Sequence, residues 1–350
     1  MIKQKHEEYL RNSITIQDRF KFMKKKAFLL LFFLNVCLCM AQPKPTIIGV
    51  LGCIREKQPV PAFSHYLDMK PDLCLWIGDN VYGDTKETGI SALIESYQKL
   101  NDKESFRRLR NNFPFMAGWD DHDFGKNDGG KDYALKEDSR KEFLRFWGLE
   151  NEISSNQDGV YYAKTFEFQG HILQVIMLDA RYNRDKIGSN GDVLGAQQWI
   201  WLENQLKENA EIRLVVSGIQ IFLDKESGSE TWDNFPNERK KLLELVKTSK
   251  AKGVVFLTGD QHYGEVSKLK NGIGYDAFEL QFCGLNQTEN PEFNSFRISS
   301  VATSLNSSAF VEISWDKTVS DLPFLLFKLY DTDNRNLELS YRINFSELGY

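Results

Sequence analysis

No run of lysine and arginine in the chain is longer than three residues, and its formal net charge is -5. Both facts exclude a protein that holds nucleic acid by its phosphates. Anionic small esters stay open, because a bound metal ion supplies positive charge that a side-chain count does not show. No repeat or low-complexity tract occurs, which rules out a repeat array. Cysteine is scarce at five residues, and two of them, Cys37 and Cys39, fall in the N-terminal apolar run Ala27 to Met40. That run is too short to span a bilayer. With Met23-Lys24-Lys25-Lys26 before it and Ala41-Gln42 after it, it matches a secretory signal peptide. The expectation is a leader over residues 1–41 with Met23 as the true start, export to the periplasm or beyond, and no membrane span once the signal is cleaved. Lipid attachment at Cys37 or Cys39 is disfavoured, since Val36 and Leu38 stand where a small residue is needed.

Cleavage after Ala41 leaves Cys53, Cys74 and Cys283, an odd number for an oxidising compartment. Cys74 and Cys283 lie inside apolar runs and read as small buried hydrophobes. Cys53 differs: it follows Gly52 where the run Ile47 to Leu51 hands over to a loop.

At 350 residues and 41% hydrophobic content, the chain can build a large α/β core. Continuous apolar runs at Ile47–Leu51, Leu73–Ile77, Ile172–Leu178, Arg213–Val216 and Gly253–Thr258 read as strands covered on both faces. Helical stretches lie between them, at Pro61–Met69, Leu93–Arg110, Tyr133–Trp147, Ala196–Lys207 and Glu238–Val246, the last capped by Asn237. From about Tyr275 apolar and polar residues alternate, as at Phe310–Trp315 and Leu337–Ile343. These C-terminal strands are expected to be antiparallel, with one wet face, and to close a second sheet of the same domain.

Polar residues gather after the runs. They are Gly52-Cys53, Gly78-Asp79-Asn80-Val81-Tyr82-Gly83-Asp84, Trp119-Asp120-Asp121-His122-Asp123 and Gly259-Asp260-Gln261-His262. Any one Gly-Asp after a strand is usually a turn, so the case rests on their conjunction at strand ends, where α/β proteins bind ligands. Phosphoesters resist attack because their oxygens repel nucleophiles, and two nearby cations relieve that by gripping the ester and deprotonating a water. Asp79 is the natural anionic bridge between them. Tyr82 can return to the same ion, a phenolate calls for an ion as acidic as Fe(III), and a Cys53 thiolate suits a transition metal. Asp121 and Asp260 offer hard oxygens to a second ion such as Ca or Mg. His65 and His171 read as structural.

These segments resemble the alkaline-phosphatase-D, or PhoD-like, family of metallophosphoesterases. Leu178-Asp179-Ala180-Arg181-Tyr182 and Trp232-x-x-Phe235-Pro236-x-Glu238-Arg239 add to the likeness. The resemblance implies a four-layer αββα sandwich of calcineurin-like type over residues 42–350, and a phosphomonoesterase or phosphodiesterase acting on small phosphoesters. It also implies Fe(III) held by Cys53, Asp79, Tyr82 and His262, and calcium held by Asp79, Asp121 and Asp260. His122 stands where the superfamily keeps the group that protonates the leaving alkoxide, with Asn80 and Asp123 as further candidate catalytic residues. Arg181 and Arg184 are candidate phosphate clamps, and Gln261 replaces an arginine of many relatives. Two alternatives remain at this point: a secreted binding protein with a structural ion, and a metallohydrolase of nucleotides or phospholipid head groups.

Overall fold

A computed structural model describes residues 44–86, 88–315 and 323–350. The expected leader, with Met23, Cys37 and Cys39, lies outside the described residues. Pro45–Tyr350 forms one compact unit.

The strands are β1 (Thr46–Leu51), β2 (Leu73–Trp76), β3 (Phe115–Ala117), β4 (Tyr162–Phe168), β5 (His171–Met177), β6 (Ile212–Ser217), β7 (Val254–Thr258), β8 (Gly264–Leu269), β9 (Ala277–Phe282), β10 (Ser307–Ser314), β11 (Phe324–Asp331) and β12 (Leu337–Asn344). The helices are α1 (Ala62–Met69), α2 (Ser91–Asp102), α3 (Glu104–Asn112), α4 (Asp121–Phe124), α5 (Lys136–Trp147), α6 (Ala196–Gln205) and α7 (Pro236–Ser249). Among the described residues there are two six-stranded sheets, ordered β12-β11-β10-β1-β2-β3 and β4-β5-β6-β7-β9-β8. Strands β1, β2 and β3 run parallel, as do β5, β6, β7 and β9.

Period-two alternation sorts the apolar side chains into layers. Val50 and Leu75 of the first sheet share one core with Val175, Leu214 and Leu257 of the second. Their neighbours Ile176, Val215 and Phe256 face the other way, against Trp199 and Leu202 of α6 and Leu242 and Val246 of α7. On the far side of the first sheet, Trp76 meets Phe63 of α1 and Phe106 of α3 edge-on. The result is the expected four-layer αββα sandwich. The runs read as continuous because both faces of each sheet are covered.

Three details differ from the expectations. The Leu93–Arg110 stretch is two helices, broken where Lys103 is extended (φ -72°, ψ 119°). Helix α7 begins at Pro236, with Phe235 and not Asn237 at its N-cap, since proline presets the helical φ and its missing N–H is no loss in the first turn. The C-terminal strands complete the sheet of the first strand: β10 pairs antiparallel with β1, Thr46 opposite Ile313. The second sheet is assembled from β4 to β9.

His65 packs edge-on against Phe310 and Tyr330, with Nδ1 2.7 Å from Ser308 Oγ. Burial, then the Arg335 charge, lowers its pKa to about 4, against an opposing pull from Asp68. A histidine whose folded pKa lies below its unfolded value stabilises the fold above pH 6.5 and loses that contribution as pH falls toward 4. The loss amounts to at most about 3 kcal/mol. Melting curves from pH 7 to pH 4 should fall less steeply for His65→Gln than for the wild type, and equal slopes would remove His65 from the acid sensitivity.

Candidate metal centre

The parallel strands of both sheets deliver their carboxyl ends to one place. Cys53 N donates to Gly78 O (3.2 Å), Gly118 N to Trp76 O (2.7 Å), and Gly259 N to Gly218 O (2.9 Å). Cys53, Asp79 and Asp260 all adopt positive φ, at 49°, 49° and 70°. Left-handed backbone costs a non-glycine residue and persists only where the surroundings enforce it. Here it turns three side chains off three strand ends toward a common point. Gly78 allows the close approach: a Cβ there would stand 2.7 Å from Asp120 Cβ.

Asp79 is the hub. Its carboxylate belongs to three groups whose ligand atoms lie within 4.8 Å of one another: Cys53, Asp79 and His262; Asp79, Asp121 and His122; and Asp79, Asp120, Asp121 and Asp260. Tyr82 OH lies 2.9 Å from His262 Nε2, which brings the phenol to the edge of the first group. Asp79, Asp120 and Asp121 are buried, whereas Tyr82, His122, Asp260 and His262 are half-buried. A buried carboxylate floor therefore opens to solvent through a rim of Tyr82, His122, Asp260 and His262.

Burial first, and then the negative charges of Asp121, Asp120, Asp123 and Asp260, push the Asp79 pKa well above the carboxylate range. Asp260 is raised likewise, by burial and then by Asp120 and Asp121. Asp121 resists: burial raises it, but Arg181, His122 and the Asp128 N–H outweigh that and lower it. Asp121 Oδ1 and Asp120 Oδ2 are buried without a hydrogen-bond partner. Buried carboxylates that repel one another and carry orphan oxygens have the chemistry of hard-cation ligands.

Around this cluster the structure shows supports that the sequence left unassigned. Glu289 accepts from His262 N (2.7 Å) and lies 3.3 Å from its Nδ1, which turns Nε2 toward Tyr82. Asp84 lies 2.7 Å from His122 Nδ1, and the His122 ring sits over Tyr82 with centroids 4.1 Å apart. Burial lowers the His122 pKa, but the Asp84 hydrogen bond and the charge of Asp121 outweigh it, so the net shift is upward. Gln287 donates to Tyr82 OH. Such partners orient metal-site side chains and tune their basicity. Only long-range contacts identify them, so sequence spacing carried no signal for Glu289 or Gln287.

Several expected roles require correction. Cys53 forms a disulfide with Cys283. A disulfide sulfur is not a thiolate, so in this oxidised form Cys53 does not supply the expected charge, although Sγ lies 3.7 Å from Asp79 Oδ2. Cys283 is thus a bridge partner and not a plain buried hydrophobe. Cys74 remains free and buried, its pKa raised by burial to about 12. Arg181 and Arg184 are not clamps facing solvent. Arg181 is fully buried, with Nε 2.5 Å from Asp120 Oδ1 and Nη1 paired to Glu230; Arg184 Nη2 lies 2.8 Å from Glu230 Oε1. They neutralise the back of the acidic cluster. Asn80 and Asp123 are buried, as are Asp79 and Asp121. Asn80 Nδ2 donates to Gly118 O (2.8 Å) and Asp123, while Asp123 Oδ1 accepts from Asp120 N (2.6 Å) and Asp79 N (3.3 Å). Both residues fix the loops that carry Asp79 and Asp121.

Comparison with known proteins now decides the family. The model of the PhoD-like phosphatases matches residues 49–323. The chain belongs to the PhoD-like phosphatase family. It is 24% identical over 263 residues to alkaline phosphatase D of Bacillus subtilis (strain 168), a match to 59% of this chain and 44% of that relative. The chain thus spans less than half the length of that curated relative. In fold it is similar to a solved structure of PhoD, with TM-score 0.56 and 18% identity over 85% of this chain and 72% of that one. It is also similar to GAP50, the anchor in the inner membrane complex of Plasmodium, with TM-score 0.53 and 12% identity over 86% and 89% of the two chains. The second likeness shows that fold alone does not assign chemistry, so the site must.

Proposed function

We propose that this PhoD-like chain is an exported, metal-dependent phosphoric ester hydrolase whose reaction centre is the cluster around Asp79. The observation that carries the reading is the sharing of one Asp79 carboxylate by three ligand groups, the arrangement two adjacent cations need from an anionic bridge. Tyr82 and His262 would hold Fe(III) with Asp79, and Asp121 and Asp260 would hold calcium with Asp79. Cys53 would join the first set only when its disulfide is reduced. When bound, the ions supply Lewis acidity that activates water and grips phosphoryl oxygens.

The chain's own residues do the rest. Glu289 holds His262 in one orientation, Asn80 and Asp123 brace the Asp79 loop, and Arg181 keeps the buried acids from repelling one another apart. His122, anchored by Asp84 at the half-buried rim, would give a proton to the departing alkoxide. Export rests on the basic and apolar segment from Met23 to Ala41, and the Cys53–Cys283 bridge suits an oxidising compartment.

The iron assignment has a direct optical test. Protein loaded with iron should show a visible phenolate-to-iron band that Tyr82→Phe removes or shifts. Cys53→Ser should change the spectrum only after disulfide reduction, and Cys74→Ser should leave it unchanged. A colourless, iron-free protein that is fully active with Mg or Zn alone would refute iron while leaving the broader hydrolase reading in place.

A further inference from the structure

With Arg181 and Arg184 buried and paired to Asp120 and Glu230, a side-chain cation that adds to the metal ions' hold on phosphate has to be another residue. The lysine-rimmed pocket beside Arg184 is a poor source: Lys131 pairs with Asp185, Lys186 lies 3.3 Å from Asp132, and among the described residues no side-chain hydrogen bond, ion pair or ring contact fixes the Lys126 ammonium. Arg55 is different. It is exposed, and no carboxylate among the described residues lies within ion-pair distance of it. Its Cζ stands 5.1 Å from the centre of the Tyr82 ring, and its Nε donates to Gln287 Oε1 (2.7 Å). Its backbone is fixed as well, since Arg55 N donates to Asn286 Oδ1 (2.9 Å) and Asn286 Nδ2 donates back to Arg55 O (3.1 Å). Gln287 Nε2 bonds Tyr82 OH and Cys53 O. Cation–π contact and the Nε bond together hold the guanidinium plane in place, so the Nη groups lose little freedom on meeting an anion.

We infer that Arg55 binds the substrate phosphate and makes the site favour phosphomonoesters over phosphodiesters. The inference rests on the hydrolase reading above and extends it to substrate class. A monoester phosphate has three non-bridging oxygens and a diester has two. With two oxygens engaged by cations that the Asp79, Asp121 and Asp260 cluster would hold, only a monoester keeps a third for the arginine at the rim. Inorganic phosphate, the product, has four oxygens and keeps two. The contact is a charge-assisted hydrogen bond, the strong kind.

The experiment compares metal-loaded wild type, Arg55→Ala, Arg55→Lys and the exposed-surface control Arg108→Ala. It measures kcat and KM on an aryl phosphomonoester and on the matching bis-aryl diester, and binding of inorganic phosphate by calorimetry. Arg55→Ala should weaken phosphate binding and lower monoester kcat/KM by roughly 10- to 100-fold, mostly through KM. Its diester kcat/KM should stay within about threefold of the wild type, well under the tenfold that one good contact is worth. Arg55→Lys should recover part of the loss, and Arg108→Ala should match the wild type. Unchanged phosphate affinity in Arg55→Ala, or equal losses on both esters, overturns the inference while the hydrolase reading stands. A wild type that neither hydrolyses either ester nor binds phosphate overturns both.

Discussion

Asp79→Asn should lower phosphomonoester turnover by about 10³-fold or more, at or beyond the upper end of what one preorganised electrostatic group contributes. The substitution is nearly isosteric, so the packing around residue 79 survives. The hydrogen bond that Asp79 Oδ1 accepts from His122 N (3.1 Å) can also be kept by the asparagine oxygen. What disappears is the shared charge. Because the same carboxylate serves all three ligand groups, its loss weakens both cation sites at once, whereas Asp260→Asn should weaken one. Burial and like charges already raise the Asp79 pKa, so the neutral side chain should melt no lower than the wild type when metal is absent. Steady-state kinetics and a melting curve on the same preparation separate the two effects. Full activity in the variant would exclude this centre.

His122→Ala should cost roughly 10² to 10⁴-fold in kcat, the usual contribution of a positioned acid or base. The loss should depend on the leaving group. An alkyl phosphate expels a basic alkoxide that needs a proton, while a nitrophenyl phosphate leaves readily without one. The alkyl ester should therefore suffer more. Asp84→Asn should reproduce a smaller part of the effect, about 10- to 100-fold, because it disturbs only the orientation of the ring and the upward pull on its pKa. Equal losses on both esters would mean that His122 serves as a ligand with Asp79 and Asp121 and not as the acid.

The layers of the fold were legible because parallel strands covered on both faces leave continuous apolar runs, as at Val254–Thr258. The break at Lys103 was not, since lysine itself carries no stop signal. Nor was the sheet joined by β10, because strand partners are chosen by tertiary register and not by local pattern. In the site, the ligand candidates follow strands in sequence and so announced themselves. Arg181, Arg184, Asn80 and Asp123 carry the right chemistry in the right segments, yet their ion pairs and hydrogen bonds tie them to neighbouring loops, and those partners depend on what lies across the sheet. Arg55 shows the reverse. Two residues beyond Cys53 it looks like an ordinary surface charge, and only its contacts with Tyr82 and Gln287 mark it. The Cys53–Cys283 bridge spans 230 residues, a separation that no spacing rule reaches.

The central claim is that the Asp79 cluster holds the cations on which ester hydrolysis depends, and elemental analysis tests it most directly. Wild type and Asp79→Asn would be purified side by side, dialysed against chelator-free buffer, and measured for iron, calcium, magnesium and zinc per chain. The account predicts close to two bound ions in the wild type and a clear deficit in the folded variant. Equal metal content in the two proteins, or a metal-free wild type that turns over phosphoester at full rate, would contradict it.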